Sequence, residues 1–216
     1  MIPVLIIGKS GSGKSASLRN MPTKGTVVVN VLGKPLPFKS DLKVVQCDDY
    51  AKITAAINKG NFERCIIDDA GYLITNQFML NHAAGGGGNS VFTLYNQMAD
   101  HYWSLIRGIQ TAKGNARVYL MMHEDKNDMG DVKPKTIGKL LDEKVCLEGM
   151  FTICLRAMLD NGRHVFTTQS DGFDVAKSPM GMFENEVIDN DLAAVDDAIV
   201  AYYDIDKGGN NNAEGK

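Results

Sequence analysis

The chain has 216 residues, a formal net charge of −3 and four cysteines without a C-x-x-C pair, and no apolar run approaches the length of a membrane span. That length suits one α/β domain with a substantial core, while the composition argues against a disulfide scaffold, a zinc site and a membrane protein. With no charged-then-apolar leader either, a soluble cytoplasmic protein is expected.

Ile2 to Ile7 reads as a buried strand, and it leads into Gly8-Lys9-Ser10-Gly11-Ser12-Gly13-Lys14-Ser15 and a short helical segment, Ala16 to Asn20. This is the phosphate-binding pattern G-x-x-x-x-G-K-[ST] in its required setting of strand, turn and helix. Gly11 and Gly13 let the backbone curl until successive N–H groups face phosphate oxygens, and the helix N-terminus adds partial positive charge. Lys14 is expected to reach the β- and γ-phosphates, and the Ser15 hydroxyl to take a place on Mg²⁺. These residues imply a nucleoside triphosphate site.

Thr26 to Val31 reads as a second buried strand, which the prolines of Gly33-Lys34-Pro35-Leu36-Pro37-Phe38 end. A third short strand, Leu42 to Gln46, precedes a helix from Tyr50 to Asn58 that opens at Asp48-Asp49 and closes at Gly60. Arg64-Cys65-Ile66-Ile67-Asp68-Asp69 is an apolar strand ending in acid, the usual partner of such a phosphate loop. Asp68 is the candidate on the metal side; Asp69 is placed to polarise an attacking water. A Gly-rich break, Ala83 to Ser90, comes before a long helix from Val91 to Thr111 with an apolar stripe of Phe92, Tyr95, Met98, Tyr102, Leu105, Ile106 and Ile109.

Arg117 to Met122 is another buried strand, ending at His123-Glu124-Asp125, and a polar, mobile-looking stretch from Lys126 to Lys139 comes next. Gly149 to Ala157 supplies a further strand. Ser170-Asp171-Gly172 signals a β-hairpin between Arg163–Gln169 and Phe173–Lys177. Asn190 is expected to cap a last helix in which Leu192, Val195, Ile199 and Tyr202 share a face. From Glu184 to Asp206 there are eight acidic residues and no Lys or Arg, which reads either as a solvated helix face or as an acidic segment competing with nucleic acid for the basic body. The fold class is therefore α/β, a mostly parallel sheet flanked by helices with an antiparallel hairpin at one edge, in one domain over residues 1–207 with a disordered tail at 208–216.

On these residues the chain resembles the phage-encoded ATP-binding proteins with a RecA-like core, a family that includes single-strand annealing and recombination ATPases. The resemblance spans about residues 2 to 203 and is most distinctive in Lys34-Pro35-Leu36-Pro37-Phe38, in Lys135-Thr136-Ile137-Gly138-Lys139-Leu140-Leu141, and in Ala176-Lys177-Ser178-Pro179-Met180-Gly181-Met182-Phe183. It implies ATP and Mg²⁺ as ligands, single-stranded DNA as partner and a homo-oligomer with shared ATP sites, with a single-strand-binding protein as a further partner. It also makes His123 the sensor of the γ-phosphate, a place where RecA-type proteins carry Gln, so that sensing becomes pH-sensitive. The loops from Asn76 to Ser90 and from Glu124 to Lys139 fall where such proteins bind DNA, the second offering Lys126, Lys133, Lys135 and Lys139. Lys177 matches a position that reaches into a neighbour's ATP site, with Arg156 as its rival.

One departure stands out. RecA-type enzymes carry a catalytic Glu near the end of the second strand, where this chain has Asn30-Val31-Leu32. Either Asp69 or Glu124 serves as base, or turnover is slow and the protein is a nucleotide-gated binder or scaffold. A small-molecule kinase ranks lower, because an Arg-rich lid is expected of it and Lys126 to Lys139 has no Arg. Asp125-Lys126-Asn127-Asp128 only echoes the guanine-reading motif.

Overall fold

The computed structural model describes residues 1–83 and 89–205. Its centre is a sheet of nine strands: β1 (Ile2–Gly8), β2 (Thr26–Asn30), β3 (Lys43–Gln46), β4 (Arg64–Asp68), β5 (Arg117–Lys126), β6 (Val132–Pro134), β7 (Ile153–Asp160), β8 (Arg163–Thr167) and β9 (Val187–Asp189). The order is β3-β2-β4-β5-β1-β7-β8-β9, with β6 paired to β5. From β3 to β7 every neighbour is parallel; β8 and β9 extend the edge antiparallel, as expected. The interior strands are continuous Val, Ile, Leu and Met because both faces are covered.

Three helices cover one face: α1 (Tyr50–Lys59), α2 (Tyr72–Asn81) and α3 (Asn89–Thr111). Asp49 caps α1 by accepting from the N–H groups of Ala51 and Lys52, and Gly60 ends it in the left-handed conformation. The stripe of α3 runs through Leu94, Met98, Tyr102, Leu105, Ile106 and Ile109. Phe92, expected on it, is 71% exposed, because it lies in the first turn, short of the stretch that meets the sheet. On the other face lie α4 (Leu192–Tyr202), the short helix after β1, and Leu36 and Phe38 of the Pro-rich segment.

Several expectations need correction. The hairpin turns at Asn161-Gly162, where both residues have positive φ (48° and 80°), and joins β7 to β8. Ser170-Asp171-Gly172 is instead a self-bonded loop: Ser170 Oγ accepts from Gly172 N and Asp171 Oδ1 from Phe173 N. Lys177 does not pair with β8; its backbone exchanges two hydrogen bonds with Cys154 of β7. The stretch from Lys126 to Lys139 is built rather than loose. β5 runs on past the sheet to Lys126 and turns through Asn127, whose Oδ1 accepts from Met129 N and Asp131 N, into β6. Asp191, not Asn190, caps α4. Asn76 to Asn81 belongs to α2 rather than to a loop, while the glycines at 85–88 and the tail from 208 lie outside the described residues.

Candidate active site

Register brings the functional residues together at the carboxyl ends of the parallel strands, where α/β sheets place their ligands. Gly8 of β1 stands beside His123 of β5, and Asn30 of β2 beside Asp68 of β4. A Cβ on Gly8 would lie 2.5 Å from Ala157 O, so only glycine lets β7 pass this close. Gly13 has φ +100°, a conformation closed to ordinary side chains, and it lets the loop curl.

Lys14 is 6% exposed, and its ammonium folds back to donate to Gly8 O (2.7 Å) and Lys9 O (2.9 Å). Burial pulls its pKa down to about 8, against the opposing pull of Asp69 and Asp68. The next helix is a six-residue 3-10 helix, Ser15–Asn20, which stops at the extended Met21 before Pro22. So short a helix contributes little dipole, which leaves the loop's own N–H groups and Lys14 as the candidate anion site.

Ser15 Oγ donates to Asp68 Oδ1 at 3.0 Å. Burial, and then the neighbouring Asp69, raise the Asp68 carboxyl above its ordinary value. Asp69 is buried in the left-handed region (φ 59°), where its carboxylate turns back over the site. Its Oδ1 is 3.5 Å from His123 Nε2, and its Oδ2 forms an ion pair with Lys34 Nζ at 2.5 Å. Burial, helped by Lys14, lowers the His123 pKa, so the ring is neutral near pH 7 and its titration lies on the acid side.

This donor set fits Mg²⁺ and a triphosphate. Ser15 and Asp68 offer two hard oxygens side by side, one on a carboxylate whose charge is disfavoured by burial and by its neighbour, a condition that a divalent cation relieves. Mg²⁺ takes few protein ligands and leaves the rest to phosphate and water. Among the described residues no group of three or more His, Cys, Asp or Glu forms an all-protein metal cage. The ion would polarise the phosphates, and Lys14 would hold them.

A sequence model of the AAA domain matches residues 2–180. The chain belongs to the AAA domain family. No curated protein matches it. As an AAA domain it is a P-loop ATPase module with a nucleotide site, and the loop from Gly8 to Ser15, with Asp68 at the end of β4, is the candidate for that site.

The other expected residues of the AAA domain are spread more widely. Glu124 forms a two-point ion pair with Arg156 (2.9 and 3.1 Å), and Arg156 also meets Asp174, so neither Glu124 nor Arg156 is free. Lys177 stands near Cys146, Cys154 and Glu148, apart from the cluster around Lys14. Lys133 is paired with Asp142 at 2.8 Å, while Lys126, Lys135 and Lys139 are exposed and have no acidic partner among the described residues. A cleft of about 280 Å³ opens between the P-loop and the end of β7, lined by Lys9, Ser12, Glu124, Arg156 and Leu159 among others.

Sequence reasoning gave no site role to four residues of the AAA domain. Lys34 caps Asp69, and Asn30 holds the turn that carries Lys34. His164 Nδ1 lies 3.0 Å from Ser12 O, and Asn190, 3% exposed with no hydrogen bond to either end of its amide, stands against Gly13. In sequence Lys34 stands only in the Pro-rich turn, Asn30 only in the departure Asn30-Val31-Leu32, and Asn190 only as a helix cap.

Proposed function

We propose that this AAA domain is a Mg²⁺-dependent ATPase that acts on single-stranded DNA in recombination or replication, of the type phages encode, and works as a homo-oligomer. The observation that carries the reading is the continuity of β5. One ten-residue strand runs from the sheet interior through His123 and ends at Lys126. Its partner strand β6 holds Lys133, and Lys135 N donates to His123 O at 2.8 Å. A hairpin that carries Lys126, Lys133 and Lys135 among four acidic residues is thus hydrogen-bonded to the candidate sensor, and its exposed Lys126 and Lys135 suit contacts to a phosphate backbone. Mg²⁺ falls to Ser15 and Asp68, the phosphates to Lys14, and the attacking water to Asp69. Lys177 is assigned to the interface between copies, and a single-strand-binding protein is a further partner.

A second reading, a nucleotide-gated binder with little turnover, is favoured by Leu32 at the missing base position and by the Lys34–Asp69 ion pair. Steady-state ATP hydrolysis with and without single-stranded DNA, at two protein concentrations, separates the two. Stimulation by DNA that steepens with concentration supports the ATPase; flat, negligible turnover selects the gated binder. Replacing Lys126, Lys135 and Lys139 together with Ala is expected to weaken DNA binding and lower the slope of log affinity against log salt by about two to three. An unchanged slope removes the hairpin from the DNA site.

A further inference from the structure

We propose that Lys34 is the group that tells a triphosphate from a diphosphate, exchanging Asp69 for the terminal phosphate within the same subunit. The inference rests on the reading of Gly8 to Ser15 as the nucleotide site.

The turn that carries Lys34 is built. Asn30, buried at the end of β2, uses both ends of its amide: Nδ2 donates to Lys34 O at 2.5 Å, and Oδ1 accepts from Gly33 N at 2.8 Å. Gly33 takes the left-handed conformation (φ 69°) that the turn needs. Pro35 restricts the backbone of Lys34, and Leu36 and Phe38 anchor the rest of the Pro-rich segment on the core. The Lys34 backbone is therefore held while its side chain is 58% exposed. Its ammonium sits on Asp69 Oδ2 at 2.5 Å.

Charge balance then decides the direction of exchange. Without nucleotide, Lys14 and Lys34 balance Asp68 and Asp69. Lys14 already faces the phosphate loop, whose carbonyls occupy it. A triphosphate differs from a diphosphate by one terminal phosphate and its charge, placed on the side of Asp68 and Asp69. Lys34 is an exposed cation on a flexible stem, already paired with a carboxylate beside that position. Moving it from carboxylate to phosphate keeps the ammonium paired and leaves Asp69 without its cation. A diphosphate gives it no reason to move.

The test is a binding measurement by calorimetry with Mg²⁺, using ADP and a non-hydrolysable ATP analogue, on wild type, Lys34→Ala, Lys34→Arg and Lys14→Ala. Lys34→Ala is expected to weaken the analogue about tenfold, the worth of one charged hydrogen bond, and to change ADP by less than about twofold. Lys34→Arg keeps the charge and most of the preference. Equal loss for both nucleotides, or no loss for either, overturns the role of Lys34 while the nucleotide site stands. Normal binding of both by Lys14→Ala overturns the site itself, and Lys34's role with it.

Discussion

Replacing Asp196 should unsettle the domain far more than its place in an acidic C-terminal segment suggests. Asp196 lies in α4, is 2% exposed, and takes hydrogen bonds from Arg117 Nε and Nη2 (2.7 and 2.9 Å), Arg64 Nε (2.6 Å) and Tyr119 Oη (2.5 Å). The two arginines open β5 and β4 and are themselves buried. Removing the single carboxylate leaves them uncompensated, a change that costs about 3–5 kcal/mol. Arg64 keeps Glu63 at 3.0 Å, and Asn retains one acceptor oxygen, so Asp196→Asn belongs at the lower end and Asp196→Ala at the upper. At roughly 2–4 °C per kcal/mol for a chain of this size, the Asn variant should melt about 6–12 °C below wild type.

Urea denaturation followed by circular dichroism measures the loss directly, with Asp41→Asn, an exposed site, as a control expected to move stability by less than about 0.5 kcal/mol. Burial pushes the Asp196 carboxyl up, but hydrogen bonds from Arg117 and Tyr119 outweigh it and leave the pKa below its ordinary value. The stabilisation is therefore fully present above about pH 4 and is lost as pH falls through the folded value. The gap between wild type and Asp196→Asn should close in acid. An Asn variant within about 1 kcal/mol of wild type at pH 7 would refute the reasoning, because it would mean that the arginines find water and the cluster does not hold α4.

Two further predictions concern the site. Lys14→Ala should lower ATP affinity by at least about a hundredfold; in wild type the proton on Lys14, lost with a pKa of about 8 in the free protein, is retained by bound phosphate, so affinity is level below pH 8 and weakens above it by up to about tenfold per pH unit. A fluorescent-nucleotide titration from about pH 6.5 to 9.5 checks this, and constant affinity across it would remove Lys14 from the phosphates. Asp68→Asn should raise the Mg²⁺ concentration needed for half-maximal nucleotide binding about 10–100-fold, read by titrating Mg²⁺ at fixed nucleotide; an unchanged midpoint would move the metal elsewhere.

What could be read from the sequence was what a local stretch dictates. The P-loop and Asp68 are set by a few consecutive residues at the ends of apolar strands, and the parallel sheet results from strands alternating with helices. Contacts across the chain were not legible. In sequence Asp196 is one of eight acidic residues in a segment read as a solvated helix face or as a competitor of nucleic acid, and only the folding of residues 132 and 79 positions away makes it the anchor of α4. The hairpin is a different kind of miss: Asn161-Gly162 is the strongest two-residue turn signal, and it lay between two apolar runs. Reading Ser170-Asp171-Gly172 as the turn gives β8 the wrong partner.

These misses meet at one place. β8, once paired with β7, brings His164 to within 3.0 Å of Ser12 O, and the segment entering α4 sets Asn190 against Gly13 while its carbonyl accepts from Arg19 at 2.5 Å. Asn20 reaches Asp191 in the same way. The P-loop is thus backed from outside by the C-terminal third of the chain, and α4 owes its seat to Asp196 at the far end of the sheet. A local loosening of α4 should therefore weaken nucleotide binding in Asp196→Asn below the temperature at which the sheet itself unfolds, so that affinity falls before the global transition begins. Parallel loss of affinity and secondary structure would instead make Asp196 a support of the sheet alone.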